Sequence, residues 1–343
     1  MLENATAPDV QKSQLHGQKS PDSSDWRICV APMMDWTDRH CRYFHRILSA
    51  HARLYTEMVT SAALVRGGQL RLLEHSQQEH PVALQLGGSE PPELAQAARL
   101  GAQAGYDEIN LNVGCPSDRV QSGRFGACLM REPALVADCV KAMRDAVDVP
   151  VTVKCRIGVD DQDDYADLQR FTESMLEAGV ELLVVHARKA WLKGLSPKEN
   201  REIPPLDYAR VYRLKREFPQ LVVVINGGIT TVEAVRSHLA HVDGVMLGRA
   251  AYHDPYLLAH LEAALYGAPL PTREEVLGHL RSYVEAELRR GTALKHISRH
   301  LLGLYQGEPG ARSFRRVLSE GAHLPGAGWS LLERAASGRR EAA

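Results

Sequence analysis

The 343-residue chain lacks several features that would assign it to a common class of protein. Its longest apolar runs, such as residues 221–225, are far shorter than the roughly 20 residues that span a bilayer, so we expect no membrane contact. Its six cysteines form no CxxC pair, which argues against a zinc ribbon and a disulfide scaffold. Residues 1–25 are polar and have no apolar signal core, so we expect a disordered segment, a cytoplasmic protein and free thiols.

The chain also has almost no net charge, with 41 Lys+Arg against 42 Asp+Glu. Proteins that bind nucleic acids usually have an excess of basic residues, so the neutral net charge at first argues against a nucleic-acid partner. The charges are unevenly distributed, however, because residues 289–316 contain seven Lys or Arg and only one acidic residue, Glu308. The neutral net charge of the whole chain therefore does not exclude binding to RNA.

Eight short apolar runs rich in β-branched residues recur along the chain, each followed by an amphipathic stretch. They occupy residues 28–31, 54–57, 82–86, 108–112, 151–155, 182–186, 222–226 and 244–247. Apolar strands that alternate with helices are typical of a parallel sheet buried on both faces, and eight such units predict a (β/α)8 TIM barrel. An open doubly wound sheet is the alternative, but no GxGxxG follows the first run and no GxxxxGK occurs.

The pattern changes after about residue 255, where strand-like runs stop. Apolar residues at helical spacing, at positions 277, 280, 284 and 288 and at positions 294, 297, 301 and 304, predict helices. We therefore expect three parts: a disordered segment over residues 1–25, the barrel over residues 26–258 and an all-helical C-terminal domain over residues 259–343.

Two glycine-rich loops follow the last two predicted strands. In such barrels the active-site residues lie at the C-terminal ends of the strands, and a phosphate often lies between the last two loops. Gly227, Gly228 and Gly248 let backbone N–H groups approach an anion, and Arg249 adds a cation. The alternative is that these glycines only form tight turns.

Lys154 and Gln85 lie within predicted strands. A buried lysine is unfavourable unless it is paired, so Lys154 needs an anionic partner. The N1–C2 edge of a reduced flavin is one candidate, and a structural carboxylate such as Glu57 is another. Gln85 could bond the pyrimidine edge of a flavin, or it could be a core amide that the protein itself satisfies.

One cysteine differs from the other five, which fit the ordinary packing role of buried thiols. Cys115 follows a glycine at the end of a predicted strand, and Pro116 then restricts the loop. A thiol is mostly protonated at neutral pH, so it can serve as a general acid as well as a nucleophile.

Several segments together resemble a known family. They are APMMDWTDRHCR, YTEMV, ALQLGG, YDEINLNVGCPSDRV, VTVKCRIG, VVHARKAWLKGLSPKENREIPPL, VINGGI and GVMLGRAAYHDP, within residues 29–316. The chain resembles the flavin-dependent tRNA-dihydrouridine synthases. GRFGACLM together with SPKENREIPPLDY resembles the bacterial A-type subfamily, which acts at positions 20 and 20a of the tRNA D-loop.

The resemblance implies reduction of tRNA uridine to 5,6-dihydrouridine, with FMN as the cofactor and NADPH as the reductant. Hydride would pass from flavin N5 to uracil C6, and Cys115 would donate a proton to C5. The resemblance implies FMN contacts from Pro32, Met33, Met34, Gln85, Lys154, His186, Asn226, Gly227, Gly228, Gly248 and Arg249.

Contacts to the substrate are expected in two places. At the barrel mouth they are Asn112, Arg156, Arg188, Lys193, Glu199, Arg201 and Glu202, and in the helical domain they are Lys295, Arg299, Arg312, Arg315 and Arg316. The alternative for the helical set is an ordinary solvated helix face. We expect a monomer that binds tRNA and no metal.

Two other functions are compatible with the same sequence features. One is a flavin barrel enzyme that acts on a free pyrimidine, which would leave the basic helical segment without a purpose. The other is an RNA-binding module that has a barrel without catalysis.

Overall fold

The computed structural model describes residues 23–341, beginning with a 3-10 helix at Ser23–Trp26. Residues 1–22, most of the segment expected to be disordered, lie outside the described residues. The sheet contains nine strands: β1 (Ile28–Val30), β2 (Arg53–Tyr55), β3 (Val59–Thr60), β4 (Val82–Gly87), β5 (Glu108–Val113), β6 (Val151–Arg156), β7 (Leu182–His186), β8 (Val222–Asn226) and β9 (Gly244–Leu247).

Eight of these strands close into a barrel. β4 to β9 pair in chain order, β1 lies between β9 and β2, and β2 pairs with β4 to complete the ring. The short β3 pairs only with β4, and all pairings between the strands are parallel. The predicted (β/α)8 barrel is confirmed, and the open doubly wound sheet is wrong.

Within residues 23–341, ten α-helices accompany the strands. They are α1 (Arg39–Leu48), α2 (Ser61–Val65), α3 (Pro91–Ala104), α4 (Asp118–Ser122), α5 (Pro133–Arg144), α6 (Tyr165–Glu177), α7 (Tyr208–Glu217), α8 (Val232–Leu239), α9 (Arg249–His253) and α10 (Tyr256–Tyr266). α3 opens with prolines, and the Thr231 hydroxyl caps α8 by accepting from Ala234 N. A Cβ on Gly101 of α3 would lie 2.6 Å from Leu84 Cδ2, so glycine lets this helix pack closely on β4.

The C-terminal segment is helical, with no strand between β9 and residue 341. Its helices are α11 (Arg273–His279), α12 (Arg281–Arg289), α13 (Leu294–Ser298), α14 (Ala311–Gly321) and α15 (Trp329–Glu341). The predicted apolar positions are buried or half-buried, but the first stripe spans two helices that break at Leu280, and the second continues into turns after Ser298. A Cβ on Gly303 would lie 2.4 Å from the carbonyl oxygen of His253, so these turns run directly against the barrel.

The C-terminal helices are attached to the barrel through α1. Arg39 donates to Glu287 at 2.6 Å, and hydrogen bonding from Arg39 lowers the pKa of the Glu287 carboxyl to about 2. Tyr43 stacks on Tyr283 with ring centroids 3.8 Å apart. Because α1 begins directly after the β1 loop, the helices are anchored near the same end of the barrel as the strand-end loops. No helix within residues 23–341 is long and apolar enough to cross a membrane.

Candidate active site

The C-terminal ends of the barrel strands surround a cavity of about 590 Å³, a volume typical of cofactor and small-molecule sites. Every residue expected to contact FMN lines it: Pro32, Met33, Met34, Gln85, Lys154, His186, Asn226, Gly227, Gly228, Gly248 and Arg249. Asn112, Cys115, Arg156 and Arg201 line it as well. The strand ends identified in the sequence therefore converge on one cavity.

The remaining mouth residues expected to contact substrate lie on the loop between β7 and α7, outside the cavity lining. Arg188 donates to the carbonyl oxygens of Glu202 and Pro204, and the Glu202 carboxylate accepts from Arg249 at 2.5 Å. Glu199 is exposed and accepts from the backbone of Ser196, and Lys193 is exposed. This loop thus presents both signs of charge beside the cavity.

Glycine is structurally required at two positions on the cavity wall. Gly227 and Gly228 have φ of 121° and 70°, which other residues rarely adopt, and side chains there would meet His186 and Leu206. Gly227 and Gly228 therefore form a tight turn. It does not compete with the anion-site hypothesis, because the same turn keeps the cavity wall free of side chains. At Gly248 a Cβ would meet only Ala31, at 4.0 Å, so its backbone borders open space.

The cavity is strongly cationic. Lys154, Arg156, Arg201 and Arg249 line it, and Asp35 is the one carboxylate among its lining residues. Burial and the nearby cations, Arg156 first among them, hold the pKa of His186 well below its usual range, so its imidazole is neutral at pH 7. Such a concentration of positive charge favours an anionic ligand.

Lys154 is the clearest indication that the cavity suits an anionic ligand. Burial, followed by repulsion from Arg156, lowers the pKa of Lys154 to about 8. Within the described part of the chain its ammonium makes no hydrogen bond or ion pair, while Glu57, the alternative partner, instead accepts from the backbone N–H of Asp35 at 2.5 Å. The pairing with Glu57 is therefore wrong. The unpartnered lysine, the open backbone at Gly248 and the arginines fit a phosphate-bearing flavin such as FMN.

Gln85 is bonded within the protein on both sides of its amide. Its Nε2 donates to Asn110 Oδ1 and its Oε1 accepts from Asn112 Nδ2, each at 2.8 Å. Gln85 is thus a satisfied core amide that also lines the cavity. Each of its two polar atoms retains capacity for one further hydrogen bond, because an amide NH2 has two donors and its oxygen has two lone pairs.

Cys115 is held on the cavity wall by its backbone. Its N–H and that of Gly114 donate to Asn112 Oδ1 at 3.0 and 3.1 Å, and the Gly114 carbonyl accepts from Arg156 at 2.9 Å. All six cysteines are free thiols. Four are buried, and Cys128, the other half-buried one, bonds the Phe125 carbonyl and lies outside the cavity lining. Cys115 is therefore the cysteine placed to react with a ligand.

Several cavity residues escaped the sequence-based prediction. Among them are Trp36, Met58, Pro197, Thr230 and Met246. Trp36 stacks on Tyr252 with ring centroids 4.3 Å apart, which links the β1 loop to α9. Met58 follows the β2 end by only three residues, so a wider reading of each strand end would have found it.

The basic residues of the helical segment are not equivalent. Lys295, Arg312 and Arg316 are exposed and form no ion pair with any residue in 23–341. Arg315 donates to Gln306 at 3.2 Å, and Arg299 forms an ion pair with Asp38. The first three are free to contact a polyanion, whereas Arg299 has a structural partner.

Fold and cavity together define a (β/α)8 barrel whose mouth combines a cationic cavity with a half-buried thiol, an arrangement that suits a barrel enzyme. The chain belongs to the dihydrouridine synthase family, since the family model "Dihydrouridine synthase (Dus)" matches residues 29–337. The family resemblance inferred from the sequence motifs is thereby confirmed. Across the described residues, no group of three or more His, Cys, Asp or Glu could hold a metal ion.

Curated relatives are similar over almost their whole length. A protein of Xanthomonas campestris pv. campestris is 65% identical over 309 residues, covering 90% of this chain and 92% of the relative. A Vibrio cholerae protein is 59% identical over 312 residues (90% and 95%), and a Xylella fastidiosa protein is 60% identical over 324 residues (94% and 98%). Each of these relatives is named tRNA-dihydrouridine(20/20a) synthase.

Proposed function

We propose that this protein reduces uridines 20 and 20a in the D-loop of tRNA to 5,6-dihydrouridine, with FMN as the cofactor and NADPH as the reductant. Membership of the dihydrouridine synthase family and the names of the relatives support the reaction. The observation that carries the proposal is the presence of the Cys115 thiol and the unpartnered Lys154 ammonium on the walls of one cavity.

The cavity residues divide into two groups around the cofactor. The backbone at Gly227, Gly228 and Gly248, with the Arg249 guanidinium, would hold the phosphate. Lys154 and Gln85 would bond the ring system, and the side chains of Met33 and Met34 would pack beside it. Bound FMN, once reduced by NADPH, would supply the hydride that its N5 atom delivers to uracil C6.

Cys115 would complete the reduction. Addition of hydride at C6 leaves negative charge over C5 and O4 of the uracil, and a proton must then reach C5. The thiol of Cys115 would donate that proton, because it lines the cavity on a loop held by Asn112 and Arg156. The Arg156 guanidinium also lines the cavity, where it would favour the developing negative charge.

A tRNA uridine must leave its stack to enter this cavity, at a cost of a few kcal/mol that is smallest for an unpaired loop base. The enzyme must hold the rest of the RNA meanwhile. Lys295, Arg312 and Arg316 would contact phosphates on one side, and Lys193 on the β7–α7 loop would do so at the mouth. A tRNA substrate agrees with a cytoplasmic protein.

The test is a reaction of purified protein, FMN and NADPH with tRNA isolated from cells that lack the protein. We expect dihydrouridine at positions 20 and 20a, detected by mass spectrometry of nuclease fragments. Free uridine and orotate are the matched alternative substrates. Reduction of a free pyrimidine without tRNA would support the rival enzyme class, and a protein that binds tRNA but neither FMN nor NADPH would be the non-catalytic module.

A further inference from the structure

A row of buried polar side chains crosses the barrel interior from the cavity toward the opposite end of the strands. Glu108, Asn110 and Asn112 share the inner face of β5, because side chains on a strand alternate with a period of two. The strand register places Gln85 beside Asn110 on one side and Thr152 beside Asn110 on the other.

These five side chains form one unbroken series of hydrogen bonds with a single direction. Asn112 Nδ2 donates to Gln85 Oε1, and Gln85 Nε2 donates to Asn110 Oδ1, both at 2.8 Å. Asn110 Nδ2 donates to Thr152 Oγ1 at 2.8 Å, and the Thr152 hydroxyl donates to Glu108 Oε1 at 2.5 Å. Every donor in the series points toward Glu108.

Glu108 imposes this direction because a carboxylate can only accept hydrogen bonds. Since the Thr152 hydroxyl must donate to it, the Thr152 oxygen is left to accept from Asn110, and each amide further along is oriented in turn. The carboxylate itself is fixed by three more donors: Trp26 Nε1 at 2.7 Å, Tyr55 Oη at 2.9 Å and Arg53 Nη1 at 3.3 Å. Glu108 is fully buried, so water cannot replace these partners.

The other end of the series is the loop that holds the thiol. With its NH2 group directed at Gln85, Asn112 must present Oδ1 to the loop, where it accepts from Gly114 N and Cys115 N. A reversed Asn112 amide would instead present its NH2 group to two backbone donors, and both hydrogen bonds would be lost.

We propose that Thr152 is a positioning residue for the Cys115 thiol, acting through the intervening amides, with Glu108 as the fixed end of the series. The effect of Thr152 on catalysis rests on the proposed function, because it assumes that Cys115 is the proton donor. The effect of Thr152 on the position of the Cys115 loop does not depend on that assumption.

The experiment compares three variants with the wild-type protein. Thr152→Val keeps the side-chain shape but removes the hydroxyl, and Thr152→Ser keeps the hydroxyl. Tyr55→Phe is the matched control, because it removes a different donor from the same Glu108 oxygen and leaves the series intact. The first readout is the rate at which iodoacetamide alkylates Cys115 in the folded protein, measured on the Cys115 peptide by mass spectrometry.

We expect Thr152→Val to raise the alkylation rate at least about fivefold, the factor that one ordinary hydrogen bond represents. Thr152→Ser restores the wild-type rate, and Tyr55→Phe leaves it unchanged even where the unfolding temperature falls. An unchanged rate in Thr152→Val would overturn the proposal. So would an equal increase in all three variants, since that result would mean general loosening of the core.

The second readout is dihydrouridine formation. We expect Thr152→Val to lower kcat with little change in KM for tRNA, because the loop acts on the proton transfer, whereas the exposed cations expected to bind phosphates, Lys295, Arg312 and Arg316, lie elsewhere. If the wild-type protein forms no dihydrouridine, the proposed function fails while the alkylation comparison still decides the positioning role. Should Thr152→Val not fold, Glu108→Gln replaces it, because a carboxamide can donate to Thr152 and so permits the amides to reverse. We expect the same increase in Cys115 alkylation in Glu108→Gln, and an unchanged alkylation rate would overturn the proposal.

Discussion

Asp38 and Arg299 form an ion pair across 261 positions of the chain, with 2.6 Å between Arg299 Nη2 and Asp38 Oδ2. The same carboxylate caps α1 and accepts from His300 at 3.0 Å. Burial alone would raise the pKa of Asp38, but the hydrogen bonds from His300 and Arg299 hold it well below the usual range. One side chain thus joins the β1 loop, α1 and the C-terminal helices.

Arg299 was predicted from the sequence to bind tRNA, but this ion pair gives it a structural role, and the two roles can be tested separately. We expect Arg299→Gln to lower the free energy of unfolding by about 1 kcal/mol, a value discounted for the partial exposure of the pair. Arg312→Gln, at an exposed arginine without an ion-pair partner in the described chain, should stay within about 0.5 kcal/mol of wild type. Urea titration measures both. If Arg299→Gln bound tRNA more weakly but unfolded with the wild-type free energy, Arg299 would act in RNA binding and not in stability.

Removal of the Cys115 thiol should separate cofactor chemistry from uridine reduction. We expect Cys115→Ala to bind FMN and to oxidise NADPH as the wild type does, but to form dihydrouridine about 10²–10⁴-fold more slowly, the usual contribution of a general acid. Cys128→Ala is the control, since Cys128 is also half-buried but lies outside the cavity lining. Normal turnover of tRNA by Cys115→Ala would exclude the thiol as the proton donor.

The affinity for FMN should depend on pH through Lys154. Its pKa in the unliganded protein is about 8, so the ammonium is charged below that pH and an anionic ligand binds it well. Above pH 8 each binding event must also take up a proton, and the affinity should fall by at most about tenfold per pH unit. Fluorescence titrations between pH 7 and 9.5 measure this slope.

Lys154→Met tests the source of that slope. We expect weaker binding of FMN at pH 7 and a flat profile between pH 7 and 9.5. Lys141→Met, at an exposed lysine on α5, should reproduce the wild-type profile. A slope that survives in Lys154→Met would assign the proton to another group.

Exposed cations of the helical segment should contribute to tRNA binding through phosphates. Arg312→Gln and Arg316→Gln should each weaken binding for all tRNAs alike and reduce the slope of log affinity against log salt concentration by about one. Arg99→Gln on α3 is an exposed control on the barrel. Filter binding at several salt concentrations gives both quantities. An unchanged slope in both α14 variants would leave these arginines as part of a solvated helix face.

Much of the active site could be predicted from short stretches of sequence, because the position of a strand end depends on the residues immediately around it. Apolar β-branched runs identified the barrel strands, and residues at or just after the C-terminal ends of these strands line the cavity, among them Cys115, Lys154 and Gly227. The second strand was placed at 54–57, whereas β2 ends at Tyr55 and a separate β3 follows. The helix break at Leu280 was missed, because the apolar spacing continues through it.

The sequence by itself determined the fold class, most of the strand ends and the candidate thiol, since each strand and loop depends on residues within a short stretch of chain. Only the tertiary structure decided that Lys154 has no partner in Glu57 and that Arg299 pairs with Asp38. It also decided that Thr152 and Glu108 join the amides behind Cys115 in one series of hydrogen bonds. Those contacts join residues far apart in the chain, and they follow from the register of adjacent strands and the packing of the C-terminal helices on α1, which hydrophobic periodicity leaves open.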